Sequence, residues 1–169
     1  MSEAAYALPQ PVVFIDASLP DLATLRAGLP VDATVHLLDP AQHGLKQMAA
    51  VLAGQFDIAA LHLIVHGAPG QLLLGHAAID LAELKACRED ITTIAAAMAE
   101  DGELLIYGCE VAAGREGRQF IHTLTSMTGL KVAAATHPVG ATALGGHWTL
   151  DEMPLSMTAQ PLAVPAWQG

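Results

Sequence analysis

Short, mainly apolar runs alternate with longer amphipathic segments along most of the chain. Apolar runs of this length are typical of strands that are buried on both faces of a parallel sheet. Five of them are predicted as strands, over residues 12–15, 34–38, 61–65, 104–107 and 131–135. Apolar residues at helical spacing predict helices over residues 21–28, 44–52, 81–99 and 116–128. This alternation predicts an α/β fold, a three-layer αβα sandwich with a mostly parallel sheet.

Turn-forming residues predict two features outside this alternation. Pro69 and Gly70 favour a turn, and residues 71–74 and 77–79 are then expected to pair as a small hairpin outside the main sheet. A Gly-rich loop follows the fifth strand, and residues 147–150 beyond it are predicted as a last strand. The predicted main sheet therefore carries a short antiparallel accessory.

The length and hydropathy of the chain fit one domain. With 169 residues, 53% of them hydrophobic, the chain is long enough to bury a sizeable core. We expect this domain over residues 12–151, after an irregular lead-in over 1–11 and before a tail or linker over 152–169. No apolar run reaches transmembrane length, so we expect no membrane insertion and a chain that is soluble as given.

Composition also limits the partners and cofactors. The net charge of −10 disfavours nucleic acid as a partner and favours cationic substrates. Two cysteines are too few for a disulfide framework or a Cys-rich zinc site. Neither the scattered histidines nor the first strand carries a recognisable metal or phosphate-binding motif, so no metal site, nucleotide or other cofactor is expected. The histidines considered for a metal are His36, His43, His62, His76, His122 and His147.

Two apolar runs end in similar pairs of residues, and these pairs are the candidate chemistry. The run at 61–65 leads into His66 and Gly67, and the run at 104–107 leads into Gly108 and Cys109. If the two strands are neighbours, His66 and Cys109 emerge side by side at the carboxyl edge of the sheet, where open α/β sheets place their chemistry. An imidazole there can activate a thiol as a nucleophile.

Each of these residues also has a purely structural interpretation. A histidine after a strand is often hydrogen-bonded in a loop, and a free cysteine is often a small core residue. The position of Cys109 before a loop and a helix favours an exposed sulfur. Cys87 lies in the middle of a predicted helix and is expected to be inert.

A His-Gly motif that precedes a Gly-Cys motif, each at the end of a predicted strand, resembles the dyad of the caspase-like clan of cysteine peptidases. This clan includes caspases, metacaspases, gingipains, clostripain, legumain and separase. Most of the chain also resembles an uncharacterised caspase-like domain at the N-terminal end of very large bacterial surface and calcium-binding repeat proteins. The segments that carry this likeness are residues 13–16, 64–70, 105–112 and 143–148.

The resemblance implies a mechanism. Cys109 attacks the scissile carbonyl, His66 transfers protons, and the N–H groups of Gly67 and Cys109 form the oxyanion hole. The clan requires no strict third catalytic residue. The chain departs from caspases in two respects: Gly108 stands where caspases have Ala before the nucleophile, and their activation-cleavage loops are not recognisable.

The resemblance also implies substrate-binding residues. Asp16 follows the first strand, where an acidic residue in several relatives selects Arg or Lys before the cut, and Glu110 could assist it. Thr136 and His137 follow the fifth strand, where relatives form a wall of the binding site, whereas Trp148 is expected in the core. The alternative for Asp16 is that it caps the segment that follows it.

Two functions remain open at this point. The first is a cysteine endopeptidase that acts on a peptide or protein substrate, cleaves after Arg or Lys, and processes its own parent chain or a partner. The second is a catalytically silent adaptor or head module of a bacterial surface protein. An exported or cell-surface location within a larger bacterial protein is implied by the resemblance alone, and the oligomeric state is left open.

Overall fold

A computed structural model describes residues 10–169, so residues 1–9 of the expected lead-in lie outside the described part of the chain. The strands are β1 Val12–Asp16, β2 Thr34–Leu38, β3 Ile58–Ile64, β4 His66–Ala68, β5 Gln71–Leu74, β6 Ala77–Ile79, β7 Met98–Tyr107 and β8 Lys131–Ala133. The helices are α1 Leu22–Ala27, α2 Gly44–Leu52, α3 Leu81–Ala86, α4 Arg88–Ala97 and α5 Gly114–Thr128, with a 3-10 turn at Thr142–Leu144.

Five strands form one parallel sheet in the order β2-β1-β3-β7-β8. Helices flank this sheet, and the predicted three-layer α/β sandwich with a mostly parallel sheet is confirmed. The strand order reverses between β1 and β3, and such a switch point opens a crevice beyond the carboxyl ends of the two strands. None of the helices within residues 10–169 combines the length and apolar character needed to cross a membrane.

The accessory sheet consists of β4, β5 and β6, which pair in antiparallel fashion. The predicted pairing of residues 71–74 with 77–79 is confirmed. The structure adds β4, which begins at His66. One residue separates it from the end of the main-sheet strand β3. The His-Gly pair is therefore held in a β ladder instead of a loop.

The long helix predicted over residues 81–99 is wrong. Cys87 leaves helical geometry at φ −98° and ψ 28°, which divides the segment into α3 and α4, and the chain is already in β7 at Met98. Neither Gly nor Pro occurs between residues 81 and 97. The interruption is therefore not caused by a helix-breaking residue. Cys87 instead contacts His43, which immediately precedes α2.

The two faces of the sheet are covered differently. Helices α2 to α5 and the accessory sheet pack on one face, with Leu52 and Phe120 fully buried among the strand residues. On the other face, α1 and the irregular chain after residue 147 form the cover. The strand predicted at 147–150 does not form, and β8 ends at Ala133 instead of 135.

Residues 152–169, which the sequence predicts as a tail or linker, contribute buried residues to the second core. Leu162, Val164 and Trp167 are buried in the second core, and the indole N–H of Trp167 donates to the carbonyl of Pro20 at 2.7 Å. On this face of the sheet the segment packs beside the short helix α1.

Candidate active site

Strands β3 and β7 are hydrogen-bonded neighbours, with Ile64 paired to Tyr107. His66 and Cys109 each lie two residues beyond this pair. The strands stay together past it, since the N–H of Val65 donates to the carbonyl of Tyr107 at 3.3 Å. The structure thus brings the two predicted motifs to the same position at the carboxyl edge of the sheet.

Cys109 is partly exposed, and its sulfur lies against the backbone of Val139. The N–H of Val139 approaches Sγ at 3.5 Å, and Sγ lies 3.7 Å from the carbonyl oxygen of the same residue. The next amide, of Glu110, donates to the carbonyl of His137 at 3.0 Å. Cys109 therefore sits in a loop that the 137–139 segment holds on one side.

A sharp turn follows Cys109. Glu110 has φ 57°, in the left-handed region that residues other than glycine rarely adopt. Such a residue costs on the order of 1–3 kcal/mol, and such strain concentrates at functional sites. The turn redirects the chain toward α5 and leaves the Glu110 side chain exposed beside Cys109.

Gly67 packs directly against the backbone of Cys109. A Cβ at this position would lie 3.0 Å from the Cys109 carbonyl oxygen, 3.1 Å from its nitrogen and 2.5 Å from Cγ2 of Val111. Only glycine allows this approach of β4 to the loop after β7. Within residues 10–169, the N–H of Cys109 donates to no protein acceptor.

His66 lies at the start of β4, opposite Leu73, and its side chain is exposed. No hydrogen bond among the described residues joins its ring to Cys109. The two candidate catalytic side chains therefore share an edge of the sheet without being bonded in this state. Catalytic hydrogen bonds are often long before substrate binds.

Asp16 is 1% exposed and its carboxylate is bonded to backbone amides. One oxygen accepts from the N–H of Ser18 at 2.9 Å and the other from the N–H of Gly75 at 2.9 Å. The first bond stabilises the turn after β1, and the second ties that turn to the loop between β5 and β6. Substrate selection by Asp16 stays a prediction.

Thr136 and His137 belong to a polar network beside the Cys109 loop. The N–H of Thr136 donates to Asp151 at 2.8 Å and its hydroxyl also bonds that carboxylate, while the ring of His137 lies 2.7 Å from the carbonyl oxygen of Thr149. Partial burial raises the pKa of Asp151, but the hydrogen bonds from Thr136 outweigh it, so the net shift is downward. The rings of His137 and His147 stack at 3.4 Å.

A second cluster of chemically capable side chains includes neither Cys109 nor His66. The ligand atoms of His43, Glu83 and Cys87 all lie within 4.8 Å of one another. The sequence pattern predicts no metal site and an inert Cys87, so this cluster is not among the predicted sites. Glu83 and Cys87 are four residues apart on one helical face, and this spacing was the available signal.

His62 forms a buried chain of hydrogen bonds beneath the C-terminal segment. The N–H of Leu162 donates to the hydroxyl oxygen of Tyr107 at 2.7 Å, and that hydroxyl lies 3.0 Å from Nδ1 of His62. Burial lowers the pKa of His62 to about 4, an effect that the charge of Glu103 partly opposes. Burial also raises the pKa of Tyr107. The imidazole is thus neutral, and its Nδ1 shares a hydrogen bond with the Tyr107 hydroxyl.

Comparison with protein families gives one match. A family model described as a domain of unknown function, DUF4347, matches residues 12–168. The matched range contains the whole sheet, the candidate site and the C-terminal segment. A comparison with curated proteins finds none that is similar to the chain.

Proposed function

The chain belongs to the DUF4347 family, and we propose that it is a cysteine endopeptidase in which Cys109 is the nucleophile and His66 transfers protons. The observation that carries this proposal is the register of β3 and β7. It places the histidine and the cysteine two residues beyond the paired residues Ile64 and Tyr107. The resemblance of both motifs to the caspase-like clan supports the same assignment.

The proposed reaction proceeds in two steps. The thiol proton of Cys109 passes to His66, the sulfur bonds to the scissile carbonyl carbon, and the carbonyl oxygen becomes an oxyanion. His66 then gives its proton to the leaving amine as the peptide bond breaks. In the second step a water loses a proton to His66, attacks the acyl-enzyme and releases the acid and the thiol.

Backbone amides are suited to stabilise the oxyanion. The N–H of Cys109 has no protein acceptor within residues 10–169, and Gly67 lies against it without an intervening side chain. Fixed N–H donors of this kind lower the barrier by about 3–4 kcal/mol when they face the developing charge. The left-handed turn at Glu110 holds the loop in which Cys109 presents its N–H.

We infer a substrate with Arg or Lys before the cut. Glu110 offers an exposed carboxylate beside the nucleophile, and the net charge of −10 attracts cations. Asp16 is nearly inaccessible while it is bonded to Gly75. In this proposal it binds the basic side chain only after the β5–β6 loop moves.

The second candidate is a catalytically silent module, and a specific observation favours it. The ring of His66 is not hydrogen-bonded to Cys109 in the described structure, and Sγ contacts the backbone of Val139.

In the endopeptidase proposal the natural substrate is the parent chain or a partner at a bacterial surface. The silent module would keep the same location and bind without cleaving.

Alkylation and peptide cleavage test the proposal together. Wild type, Cys109→Ala, Cys87→Ala and His66→Ala are treated with iodoacetamide and analysed by intact mass. The same proteins are assayed with peptides that carry Arg, Lys, Asp or Leu before the scissile bond. We expect Cys109 to be alkylated first, and cleavage after Arg or Lys to survive in Cys87→Ala and to be lost in the other two variants.

Two results would count against these assignments. If no peptide is cut and Cys109 reacts no faster than Cys87, the silent module is the better description. If cleavage occurs but follows Asp, the endopeptidase stands and the basic substrate class is wrong. Circular dichroism of each variant checks that the loss of cleavage is not a loss of folding.

A further inference from the structure

We propose that His43, Glu83 and Cys87 bind one zinc ion at a site that does not include Cys109. Nε2 of His43 lies 2.8 Å from Oε1 of Glu83, Sγ of Cys87 lies 3.3 Å from the same oxygen, and Sγ lies 3.6 Å from the same nitrogen. The three donor atoms form a small triangle, and a nitrogen, an oxygen and a sulfur are the donor types that zinc takes in proteins.

The size of the triangle matches a tetrahedral ion. With zinc bonds of about 2.0 Å to nitrogen and oxygen and about 2.3 Å to sulfur, tetrahedral angles separate the donors by about 3.3–3.6 Å. The two distances that involve sulfur already agree with this value. Only the distance from His43 to Glu83 must widen, by about half an ångström, and the partly exposed Glu83 side chain can provide that shift.

The connectivity argues against a catalytic triad at this place. In a triad the acid and the nucleophile bond to opposite nitrogens of the imidazole. Here both Glu83 and Cys87 approach Nε2 of His43. Because all three donor atoms face one another, the arrangement suits the binding of an ion. It does not suit a relay in which a proton crosses the imidazole from one nitrogen to the other.

Charge balance favours a divalent cation. Glu83 and the thiolate of Cys87 together carry two negative charges, which one Zn²⁺ neutralises. The positive charge of Lys46 faces the same region but is paired with Asp90 at 3.2 Å. Cysteine binds zinc as its thiolate, so the thiol proton must leave when the ion binds. Binding therefore converts the thiol and Zn²⁺ into a zinc thiolate and releases one proton.

The bound ion would join three parts of the fold. His43 immediately precedes α2 and pairs with Gly75 in the β5–β6 loop, Glu83 lies in α3, and Cys87 forms the junction between α3 and α4. Cys87 and His43 are largely buried, while the Glu83 side chain is 35% exposed. We assign the fourth position of the ion to water on the Glu83 side, and the role of the site to structure.

Cobalt titration tests the site without relying on peptidase activity. The Cys109→Ala protein is stripped of metal by a chelator and titrated with Co²⁺, which reports a thiolate ligand through a charge-transfer band in the near ultraviolet. The chain has two cysteines, so in this background any thiolate band belongs to Cys87. We expect a band that saturates at one equivalent, that Zn²⁺ displaces, and that is accompanied by release of one proton.

Variants and stability measurements complete the test. In the same background, His43→Ala and Glu83→Gln should weaken Co²⁺ binding at least about tenfold, while the exposed His122→Ala should not change it. Zn²⁺ should raise the melting temperature of the Cys109→Ala protein, because a ligand that binds only the native state stabilises it. Absence of the band in the folded Cys109→Ala protein would overturn the proposal, as would equal weakening by His122→Ala. Neither result bears on peptide cleavage by Cys109.

Discussion

The carboxylate of Asp16 accepts a hydrogen bond from the backbone N–H of Gly75, 59 residues further along the chain, at 2.9 Å. Its other oxygen accepts from Ser18, so both oxygens are used inside the protein. The bond joins the switch point of the main sheet to the accessory sheet that begins with His66. Asp16 thus ties the end of β1 to the loop that joins two strands of the accessory sheet.

Replacing Asp16 with Asn should therefore destabilise the fold. The amide has the shape of the carboxylate, but its NH₂ group would face one of two N–H donors, and the charge-assisted bonds would be lost. We expect a decrease in the free energy of unfolding of about 1.5–3 kcal/mol in urea titrations. The exposed Asp32→Asn is the control and should change stability by less than about 0.5 kcal/mol. Equal losses of stability from the two substitutions would show that the Asp16 carboxylate does not make these hydrogen bonds in solution.

A methyl group at position 67 should separate the two motifs. In Gly67→Ala the new Cβ meets Cγ2 of Val111 and the backbone of Cys109, and overpacking of this kind costs about 1–3 kcal/mol of stability. If Cys109 and His66 are catalytic, a shift of about 1 Å between them lowers kcat/KM about a hundredfold. Urea unfolding and peptide cleavage measure the two effects.

The matched control for this change is a double-mutant cycle. Val111→Ala alone creates a cavity, because Val111 is fully buried, but in Gly67→Ala/Val111→Ala it also removes the closest clash. The stability losses should then sum to less than the two single losses. Strictly additive losses would mean that the added methyl group does not press on Val111.

Acid should destabilise the protein partly through His62. The folded-state pKa lies near 4 and the ordinary value is 6.5, so the unfolded chain takes up a proton first as the pH falls. The contribution of neutral His62 is complete above pH 6.5 and is lost progressively between that value and about 4, for a total of about 3 kcal/mol.

The measurement is urea unfolding of wild type and His62→Gln across this pH range. Glutamine can still hydrogen-bond the Tyr107 hydroxyl but does not titrate, so the variant should have the shallower dependence of stability on pH. Parallel curves for the two proteins would show that His62 is not the buried neutral base that its contacts indicate.

Truncation of Trp167 should show that the last segment belongs to the domain. Trp167 is 4% exposed and its indole bonds to Pro20, so Trp167→Ala should cost about 3–5 kcal/mol. Leu155 in the same segment is fully exposed, and Leu155→Ala should have an effect below about 0.5 kcal/mol. Thermal unfolding of both variants distinguishes a packed segment from a loose one, in which both changes would be neutral.

The parallel sheet and the shared edge of His66 and Cys109 could be predicted because they follow from local patterns. The carboxyl-terminal halves of β3 and β7 are mainly apolar, and α2 has the bounds that its apolar stripe predicts. Once the strands are neighbours, parallel pairing alone brings the residues after them together.

Other features depend on contacts that no local pattern encodes. The break at Cys87 has no glycine or proline, and the residue instead contacts His43, which lies 44 positions earlier. The segment after residue 151 has neither helical nor strand periodicity, yet its apolar residues fill one face of the sheet as irregular chain. The bond between Asp16 and Gly75 likewise depends on tertiary packing. The sequence alone therefore does not decide whether Asp16 selects substrate or caps the segment that follows it.

The edge of the sheet at β8 has a consequence for behaviour at high concentration. β8 has three residues and begins with Lys131, and just beyond it Ala134 exchanges both of its backbone hydrogen bonds with Glu152. Short edge strands that carry lysine and are partly covered give another chain few free N–H and C=O groups to pair with. Growth of the sheet by addition of a second molecule is therefore disfavoured on the side nearest Cys109, which protects the candidate site from aggregation.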